Sequence, residues 1–480
     1  MAELFNFIDD LLWNSVLIYL LIGTGLWFTL RSGFIQFHHF GHMFSILKGS
    51  GRADGAGISP FQALCTTLAA RIGCGNLTGV AFSLVIGGPG AIFWMWLAAF
   101  IGMATAFVES TLAQLYKVRD SRGNFRGGPA WYMEKGLGLR WMGVLFSCFL
   151  LVGYGGIFSA VQASAITQSL HESYGLSPYQ TGFGLVALSA LAICGGLRLI
   201  ARLSQWLVPL MALGYVLLAA WIMAQHAGRL GAVAELVFNS AFGLPQAASG
   251  IIGYGISQAI FQGVQRGLFS NEAGMGSAPN IAGAATPWPP HPASQGYIQM
   301  LAVFIDTIVI CSATAAIILT SDVLEQAVPD LGGVALIQRS LLAATGQWGT
   351  PFMVMVIFIF SFTSIIGNYA YAESSLQFFR HRSQRPVLIL RAVALGAVMA
   401  GCLAEVPVLW RLADLAMGLM TLTNLIALLL LSRIALMLAR DYNSQRAVGK
   451  LPTFYAANFP TIAAQLAPGH WERPTARKPS

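Results

Sequence analysis

The chain has 480 residues, of which 56% are hydrophobic and only 10% are charged. Soluble globular domains carry about 25% charged residues, so this composition and a mean hydropathy of +0.66 exclude an ordinary soluble protein. The formal net charge of +8 comes from basic residues in alternate connections between apolar segments. We therefore assign it to membrane topology and contact with an anionic lipid bilayer, with no nucleic-acid partner.

Apolar segments of about 18–25 residues recur along the whole chain. A bilayer core about 30 Å thick requires about 20 apolar residues per helix, so the segments are predicted to be membrane-spanning helices. We predict one all-α integral membrane domain with about eleven transmembrane helices. The predicted spans, with boundaries good to about 2–4 residues, are 11–30, 58–86, 91–116, 141–170, 179–197, 203–225, 247–269, 297–320, 351–379, 386–404 and 407–439.

The basic residues of the connections favour one orientation. When the connection after the first span is placed in the cytoplasm, alternation leaves only Arg229, Arg339 and Arg411 among the basic residues outside. This distribution follows the positive-inside rule and predicts an external N-terminus and a cytoplasmic C-terminus. The residues assigned to the cytoplasm are Arg31, Lys48, Arg52, Lys117, Arg119, Arg122, Arg126, Lys135, Arg140, Arg198, Arg202, Arg266, the basic group 380–391 and the C-terminal tail.

The first span is interpreted as a retained helix. Glu3, Asp9 and Asp10 precede it, where a signal peptide would carry basic residues. The six cysteines all lie inside predicted spans without a CxxC pair, which favours packing roles over disulfides or metal ligands.

Two predicted spans contain glycine clusters at mid-depth. The second span holds 71–76 (RIGCGN) and the seventh holds 249–255 (SGIIGYG). Unwound backbone at membrane depth is tolerated only where it is buried in protein or lines a cavity. With the first span set aside, these two spans occupy corresponding places in two sets of five helices, which is typical of the midplane site of a secondary transporter. The alternative is that the glycines are close-packing points between helices.

The first glycine cluster suits a zwitterionic amino acid. A broken helix offers free N–H groups and a positive dipole end to a carboxylate. Cys74 and Gly75 are placed to supply N–H groups, and Asn76 adds an amide. Freed carbonyls at the end of a half-helix suit an ammonium group or a sodium ion.

The ninth span carries a second polar cluster, 361–368 (SFTSIIGN). Its adjacent hydroxyls, with the carbonyl of Phe360 one turn earlier, make an oxygen set suited to a hard monovalent cation. The alternative is that Thr363 and Ser364 hydrogen-bond to carbonyls of their own helix.

Ionisable residues inside a membrane are costly, and they indicate a functional site or a structural pair. Glu109, Asp306, Glu373 and Asp414 lie within or near the ends of spans, and Asp306 is the deeper one. Arg71 adjoins the first glycine cluster. We interpret Arg71, Glu109 and Asp306 as coupling charges or structural partners. Enzyme motifs (HExxH, GxSxG, a Walker A loop) and a repeated channel filter are absent from the sequence, which predicts neither an enzyme nor a bound cofactor.

Several long strings resemble the alanine/glycine:cation symporters, also called sodium:alanine symporters, from about Trp13 to Pro452. The resemblance implies the inverted repeat of the leucine-transporter fold, with five helices in each half and one extra N-terminal helix. It also implies coupling to Na⁺, with H⁺ as the alternative, and import of alanine or glycine, and of glutamine in some members. The matching strings are GCGNLTGVA (73–81), GGPGAIFWMW (87–96), GMATAFVES (102–110), GGPAWYMEKGLG (127–138), RGLFSNEAGMGSAPN (266–280), HPASQGYIQM (291–300) and SFTSIIG (361–367).

The same resemblance divides the chain and assigns its sites. The implied divisions are 1–57 for the extra helix and its connection, 58–228 and 229–440 for the two repeats, and 441–480 for a cytoplasmic tail. The implied substrate-binding residues are Gly73, Cys74, Gly75, Asn76, Gln162, Gly250, Ile251, Gly253, Ser364 and Asn368, with 250–253 as a second unwound segment. The implied sodium ligands are the carbonyls of Ala69, Ile72 and Phe360 and the hydroxyls of Thr363 and Ser364.

Two positions depart from the family pattern. Cys74 stands where the family usually has Thr, which we expect to have a mild effect. Asn368 stands where the family usually has Trp, four residues after Ser364 and on the same helical face. Replacing an indole by an amide leaves more room, so we hypothesise a substrate larger or more polar than alanine, such as glutamine, serine or asparagine. The alternative is that Asn368 pairs with another helix.

The sequence therefore predicts sodium-coupled import of a small neutral amino acid across a bacterial inner membrane. A proton-coupled symporter, with Glu109, Asp306 or Arg71 replacing the charge of sodium, is the alternative within transport. A non-transporting amino-acid sensor with the same fold is the alternative outside it. The sequence leaves the oligomeric state open.

Overall fold

The computed structural model describes residues 11–51, 53, 56–243, 252–321, 323–324, 333–379 and 384–472. Helices make up nearly all of the secondary structure, and the described strands form one two-stranded antiparallel hairpin. A π-helical turn, Leu11–Leu17, precedes α1. The helices are α1 Ile18–Arg31, α2 Ile35–His38, α3 Phe40–Ser45, α4 Pro60–Arg71, α5 Gly75–Gly87, α6 Ala91–Leu115, α7 Pro129–Leu137, α8 Arg140–Tyr174, α9 Pro178–Cys194, α10 Gly196–Gln225, α11 Leu230–Ala241, α12 Ile252–Asn271, α13 Pro279–Ala282, α14 Ala293–Leu319, α15 Gly333–Thr345, α16 Gly349–Phe379, α17 Arg385–Leu403, α18 Val406–Ala447 and α19 Pro460–Ala463. The strands are β1 Val118–Arg119 and β2 Phe125–Arg126.

These helices agree with an all-α membrane protein. In the described part of the chain, seven helices are long and apolar enough to cross a membrane, and α4 and α5 form an eighth, bent candidate. Every predicted span overlaps a helix, although α10 begins at 196 and α18 continues to 447, beyond the predicted limits. These extensions contain arginines, which favour helix but lower hydropathy, so the apolar pattern misses them. The count of eleven spans and the inverted repeat remain predictions.

Local sequence explains where α4 and α9 begin. Ser59 precedes Pro60, and its hydroxyl accepts from the backbone N–H of Gln62 while the Gln62 side chain accepts from the Ser59 N–H. Ser177 and Gln180 form the same reciprocal pair before α9. Each capping box satisfies two donors that a helix start leaves free.

The long helices enclose the interior in which the two helix interruptions lie. Helix α4 packs against α10 and α16, and α6 packs against α14, α12 and α1. Helix α8 packs against α16 and α17. This arrangement brings the end of α4, the end of α12 and the middle of α16 together in the core.

The segment after α18 folds back onto the protein. Phe454 N–H donates to the Pro290 carbonyl at 3.0 Å, and Trp471 Nε1 donates to the Leu115 carbonyl at 3.1 Å. Lys117 Nζ lies 4.9 Å from the centre of the Trp471 ring. The first part of the predicted tail, up to residue 472, therefore covers one end of the bundle.

The assignment of Arg266, at the end of the predicted span 247–269, to the basic residues of the cytoplasmic side is wrong. Arg266 lies in α12, is 9% exposed, and forms a two-bond ion pair with Asp414 at 2.8 and 2.9 Å. Its guanidinium also lies 4.8 Å from the centre of the Trp410 ring. Hydropathy ended the predicted span near this residue because it cannot distinguish a paired buried charge from a solvated one.

We predict that Gly401→Ala destabilises the protein and that Gly396→Ala, on the same helix, does not. A Cβ on Gly401 would overlap the backbone of Ala160 in α8, whereas a Cβ on Gly396 meets nothing within 4 Å. Forcing an extra methyl group into a packed contact costs about 1–3 kcal/mol. Thermal unfolding of the two purified variants would measure the difference, and equal melting temperatures would contradict the prediction.

Candidate substrate and cation site

The first helix break lies at the predicted glycine cluster. Helix α4 ends at Arg71, Ile72 has φ −74° and ψ 88°, and helix resumes at Gly75 with a 53° bend. Because Gly73 has no side chain, Ser364 and Gln162 can lie directly against it, where a Cβ would collide with both. The break is fully buried, so each backbone group that it frees needs a partner within the protein.

Two side chains accept the N–H groups freed at this break. Gly73 N–H donates to Asn76 Oδ1 at 3.1 Å, and Cys74 N–H donates to Gln162 Oε1 at 2.8 Å. Gln162 reaches the break from α8 and is 4% exposed. The two amide oxygens mark the directions in which these N–H groups would bind a carboxylate.

Three carbonyl groups surround the Ser364 hydroxyl. Ser364 Oγ lies 2.9 Å from the Ala69 carbonyl, 3.3 Å from that of Ile72 and 3.0 Å from that of Phe360. The end of α4 and one turn of α16 thus bring together four of the oxygens that the family resemblance implies as sodium ligands. Thr363 Oγ1 donates to the Phe360 carbonyl at 2.9 Å and otherwise lies 3.7 Å from the sulfur of Met211.

Asp306 is the centre of a second oxygen cluster. Its carboxylate accepts from Asn76 Nδ2 at 2.7 Å, Ser270 Oγ at 2.6 Å and Thr307 Oγ1 at 2.9 Å. The residue is 0% exposed. Through Asn76, this carboxylate is connected to the first break, because the other end of the same amide accepts the Gly73 N–H.

The second helix break lies after Asn271. Glu272 has φ +57°, and Gly274 and Gly276 have φ +88° and +82°. Positive φ is readily adopted by glycine and costs energy in other residues. The whole segment from Asn271 to Ala282 is buried.

The structure corrects the predicted unwound segment 250–253 at one residue, Gly253. Gly253 lies in the first turn of α12, so it is helical and not part of an unwound segment, whereas Gly250 and Ile251 lie outside the described residues. A further buried non-helical segment, with Gly274 and Gly276, lies within the string RGLFSNEAGMGSAPN. Its charged and polar residues made it resemble an ordinary connection beyond the end of a span.

Glu272 connects the two breaks. Its Oε2 lies 3.9 Å from Arg71 Nε, and its oxygens accept from the hydroxyls of Tyr154 and Ser277, both at 2.7 Å. Arg71 also donates from Nη1 to Gln299 Oε1 at 3.3 Å. Arg71 stands out in the sequence as a charge beside the glycine cluster, but only the fold shows that Glu272 is its partner.

Glu109 forms a hydrogen bond with the backbone of the second break. Its Oε1 accepts from the Gly274 N–H at 3.3 Å, and its Oε2 accepts from Asn424 Nδ2 at 3.0 Å. Asn424 Nδ2 also donates to the Gly274 carbonyl at 2.9 Å, and Asn424 Oδ1 accepts from the Tyr132 hydroxyl. These contacts fit the structural alternative that the sequence left open for Glu109.

Asn368 lies on the site side of α16 and is 1% exposed. Its recorded polar contact, from Nδ2 to Ser159 Oγ, is 3.5 Å long and therefore weak. The Asn368 Nδ2 group is thus weakly hydrogen-bonded. Phe269, at the end of α12, lies against Gly75 and forms another part of the enclosure.

The two sides of the first helix break suit ligands of opposite charge. The C-terminal end of α4 presents carbonyl oxygens, and the residues that lead into α5 present N–H groups. Cations favour the first end and anions the second. The residues at these positions are buried, so a ligand would reach them only after helices move.

The chain matches a known protein family. The model of the family described as the sodium:alanine symporter family matches residues 1–456. The chain is 50% identical to the uncharacterized transporter YaaJ of Escherichia coli, over 98% of this chain and 99% of that one. It is 44% identical to the probable sodium/glutamine symporter GlnT of Bacillus subtilis, over 93% and 92%. It is also 44% identical to the amino-acid carrier protein AlsT of the same species, over 96% of both chains.

We predict that Gly73→Ala weakens amino-acid binding by at least about tenfold, or about 1.4 kcal/mol. The added Cβ would displace Gln162 and Ser364 from the first break. Gly79→Ala is the matched control, since a Cβ there meets only the Trp410 ring at an ordinary 3.7 Å. Binding of labelled alanine and glutamine to the purified proteins measures the effect, and equal affinities for both variants would refute the prediction.

Proposed function

Because the chain belongs to the sodium:alanine symporter family, we propose that it imports a small neutral amino acid, such as alanine or glycine, with sodium. Membership makes the protein a sodium-coupled amino-acid transporter and not an enzyme. We further propose that its substrates include a polar neutral amino acid such as glutamine. The membrane would be the bacterial inner membrane, with the basic connections in the cytoplasm.

The observation that carries the proposal is the pair of N–H groups at Gly73 and Cys74. They are held by amide oxygens in a buried break, 3.1 and 2.8 Å away. A substrate carboxylate would replace one or both of these oxygens and would gain charge-assisted hydrogen bonds. The Gln162 side chain would then be free to turn toward the substrate.

We assign the sodium ion to the oxygens around Ser364. A hydroxyl that now donates can rotate its proton away and offer its lone pairs to a cation. The carbonyls of Ala69, Ile72 and Phe360 would complete the set, and Thr363 would join by a change of side-chain rotamer. A cation there would sit at the negative end of the α4 dipole.

Asp306 supports a second candidate, which is coupling to a proton. Its buried carboxylate has three hydrogen-bond donors and, among the described residues, no ion-pair partner within 4 Å. A carboxylate in this setting can take up a proton when its neighbours rearrange. In a purely sodium-coupled protein, the same carboxylate would contribute an oxygen to a second sodium ion.

Asn368 supports the wider substrate range. Among the described residues its amide has one hydrogen bond, the weak one to Ser159, so a polar substrate side chain would supply a better partner. The relative named for glutamine is consistent with a substrate of this kind in the same family.

Uptake into proteoliposomes tests the proposed function. Labelled alanine, glycine and glutamine should accumulate against their gradients when an inward sodium gradient is imposed. Accumulation driven only by a pH gradient would support proton coupling instead. Binding without accumulation would indicate a sensor and would overturn the transport proposal.

We predict that Ser364→Ala and Thr363→Ala raise the sodium concentration for half-maximal uptake, with the larger effect for Ser364→Ala. Each change removes a proposed cation oxygen, and the Ser364 hydroxyl alone contacts the carbonyls of both α4 and α16. Ser361→Ala is the control, because its buried hydroxyl has no hydrogen-bond partner among the described residues. Sodium activation curves that match the parent curve in both variants would exclude this site.

We predict that Asn368→Trp shifts the preference from glutamine toward alanine and glycine. The indole would fill space beside the site and remove the amide. Competition of each unlabelled amino acid against labelled alanine measures the ranking. If the parent protein accepts only alanine and glycine, and Asn368→Trp changes nothing, the polar-substrate hypothesis fails.

A further inference from the structure

A polar cavity, separate from the helix breaks, lies at the end of the bundle that carries the basic connections. Its volume is about 380 Å³, within the range of small-molecule pockets. Its walls come from the segment before α4, the β1–β2 hairpin and the corner between α9 and α10. The lining residues used below are Ile58, Arg122, Arg126, Gly196, Leu197 and Glu373, and we call this space the basic cavity.

Two buried, oppositely charged side chains in this lining have unmatched atoms. Glu373 is 8% exposed, and its Oε2 has no hydrogen-bond partner among the described residues. Arg126 is 7% exposed; its Nε donates to Asp120 at 3.0 Å, but its buried Nη1 has no partner in the same part of the chain. Buried charged atoms without partners are costly.

The Tyr369 hydroxyl and the Arg391 guanidinium interact with the Glu373 carboxylate, but they leave its Oε2 without a hydrogen bond. Arg391 on α17 donates from Nε to the Tyr369 hydroxyl at 3.3 Å and from Nη2 to the Cys194 carbonyl at 3.3 Å. Both carboxylate oxygens of Glu373 lie beside Gly196, within 4 Å of where a Cβ would stand. Gly196 has φ +67°, so the corner that closes this wall suits glycine.

The basic cavity lies on the same helices as the substrate site. Glu373 follows Asn368 by five residues on α16, about 7.5 Å along the axis at about 1.5 Å per residue. Ile58, just before α4, exchanges backbone hydrogen bonds with Ala284 and Thr286, which follow the second break. One wall of the cavity is therefore made by the segments that enter the first break and leave the second.

We propose that the basic cavity is a second binding site for the zwitterionic amino acid, occupied between its release from the helix breaks and its entry into the cytoplasm. Glu373 binds the ammonium group and Arg126, with Arg122 nearby, binds the carboxylate. A zwitterion offers a partner to both unmatched atoms, Glu373 Oε2 and Arg126 Nη1, at once, which neither a simple anion nor a simple cation does. This inference rests on the proposed function and on the predicted orientation of the basic connections.

Protection of an introduced thiol tests this site in the full-length protein. Leu197→Cys places a thiol in the partly exposed lining, in a background where the exposed Cys148 and Cys194 are changed to Ser. Alanine should slow its modification by a thiol reagent by a factor of 1 + [L]/Kd, about fivefold at about four times Kd. Protection should persist after Gly73→Ala, which disables the first site.

Charge variants of Glu373 and fragments of the substrate test which group binds the ammonium and whether both charges are needed. Glu373→Gln should abolish protection, and Glu373→Asp should restore part of it. Propionate and ethylamine, each with one half of the charge pair, should protect poorly. Thermal unfolding and binding at the first site show whether each variant is folded.

Each result that contradicts the proposal has a different meaning. Loss of protection in the Gly73→Ala background would mean that the cavity is not a separate amino-acid site. Full protection by propionate or inorganic phosphate would mean an anion site, and protection unaffected by Glu373→Gln would overturn the ammonium assignment. Absence of sodium-driven uptake by the parent protein would count against the proposed function alone, because thiol protection does not depend on transport.

Discussion

Backbone groups freed at two buried helix breaks must find partners where water is scarce, and the interior of this protein is organised around that constraint. Asn76 and Gln162 accept the N–H groups of the first break. Glu109 and Asn424 hold both the N–H and the carbonyl of Gly274 in the second. Side chains from α6, α8 and α18 are thereby committed to positions that an unbroken helix would not require.

The two breaks are also bound to each other. Arg71 ends the helix before the first break and Glu272 begins the second, with 3.9 Å between Nε and Oε2. A buried pair of this kind is costly to separate, because each partner left alone is an uncompensated charge. Movement of α4 relative to α12 therefore has to preserve or replace this contact. The hydroxyls of Tyr154 and Ser277 make replacement easier, since they stay with Glu272.

The proposed cation and substrate positions share one short stretch of chain. The carbonyls of Ala69 and Ile72 and the N–H groups of Gly73 and Cys74 lie within six residues of sequence. A cation at the carbonyls would fix the end of α4, and this would hold the adjacent N–H groups in place for a carboxylate. This proximity gives a physical route for coupling between the ion and the amino acid. In the proposed transport cycle, the amino acid would bind in the basic cavity on the same helices after it leaves the helix breaks.

The sequence by itself determined the membrane class, the approximate helix positions, the family and the first break. Each of these depends on local composition, such as the GCGN string or the apolar length of a span. Only the tertiary structure decided which buried charges pair, since Arg71 meets Glu272 and Arg266 meets Asp414 across more than a hundred residues. It also revealed the buried segment with positive φ at Gly274 and Gly276, and a helical Gly253. An exposed polar segment and a buried polar segment look alike in sequence, because burial depends on the helices that pack around the segment.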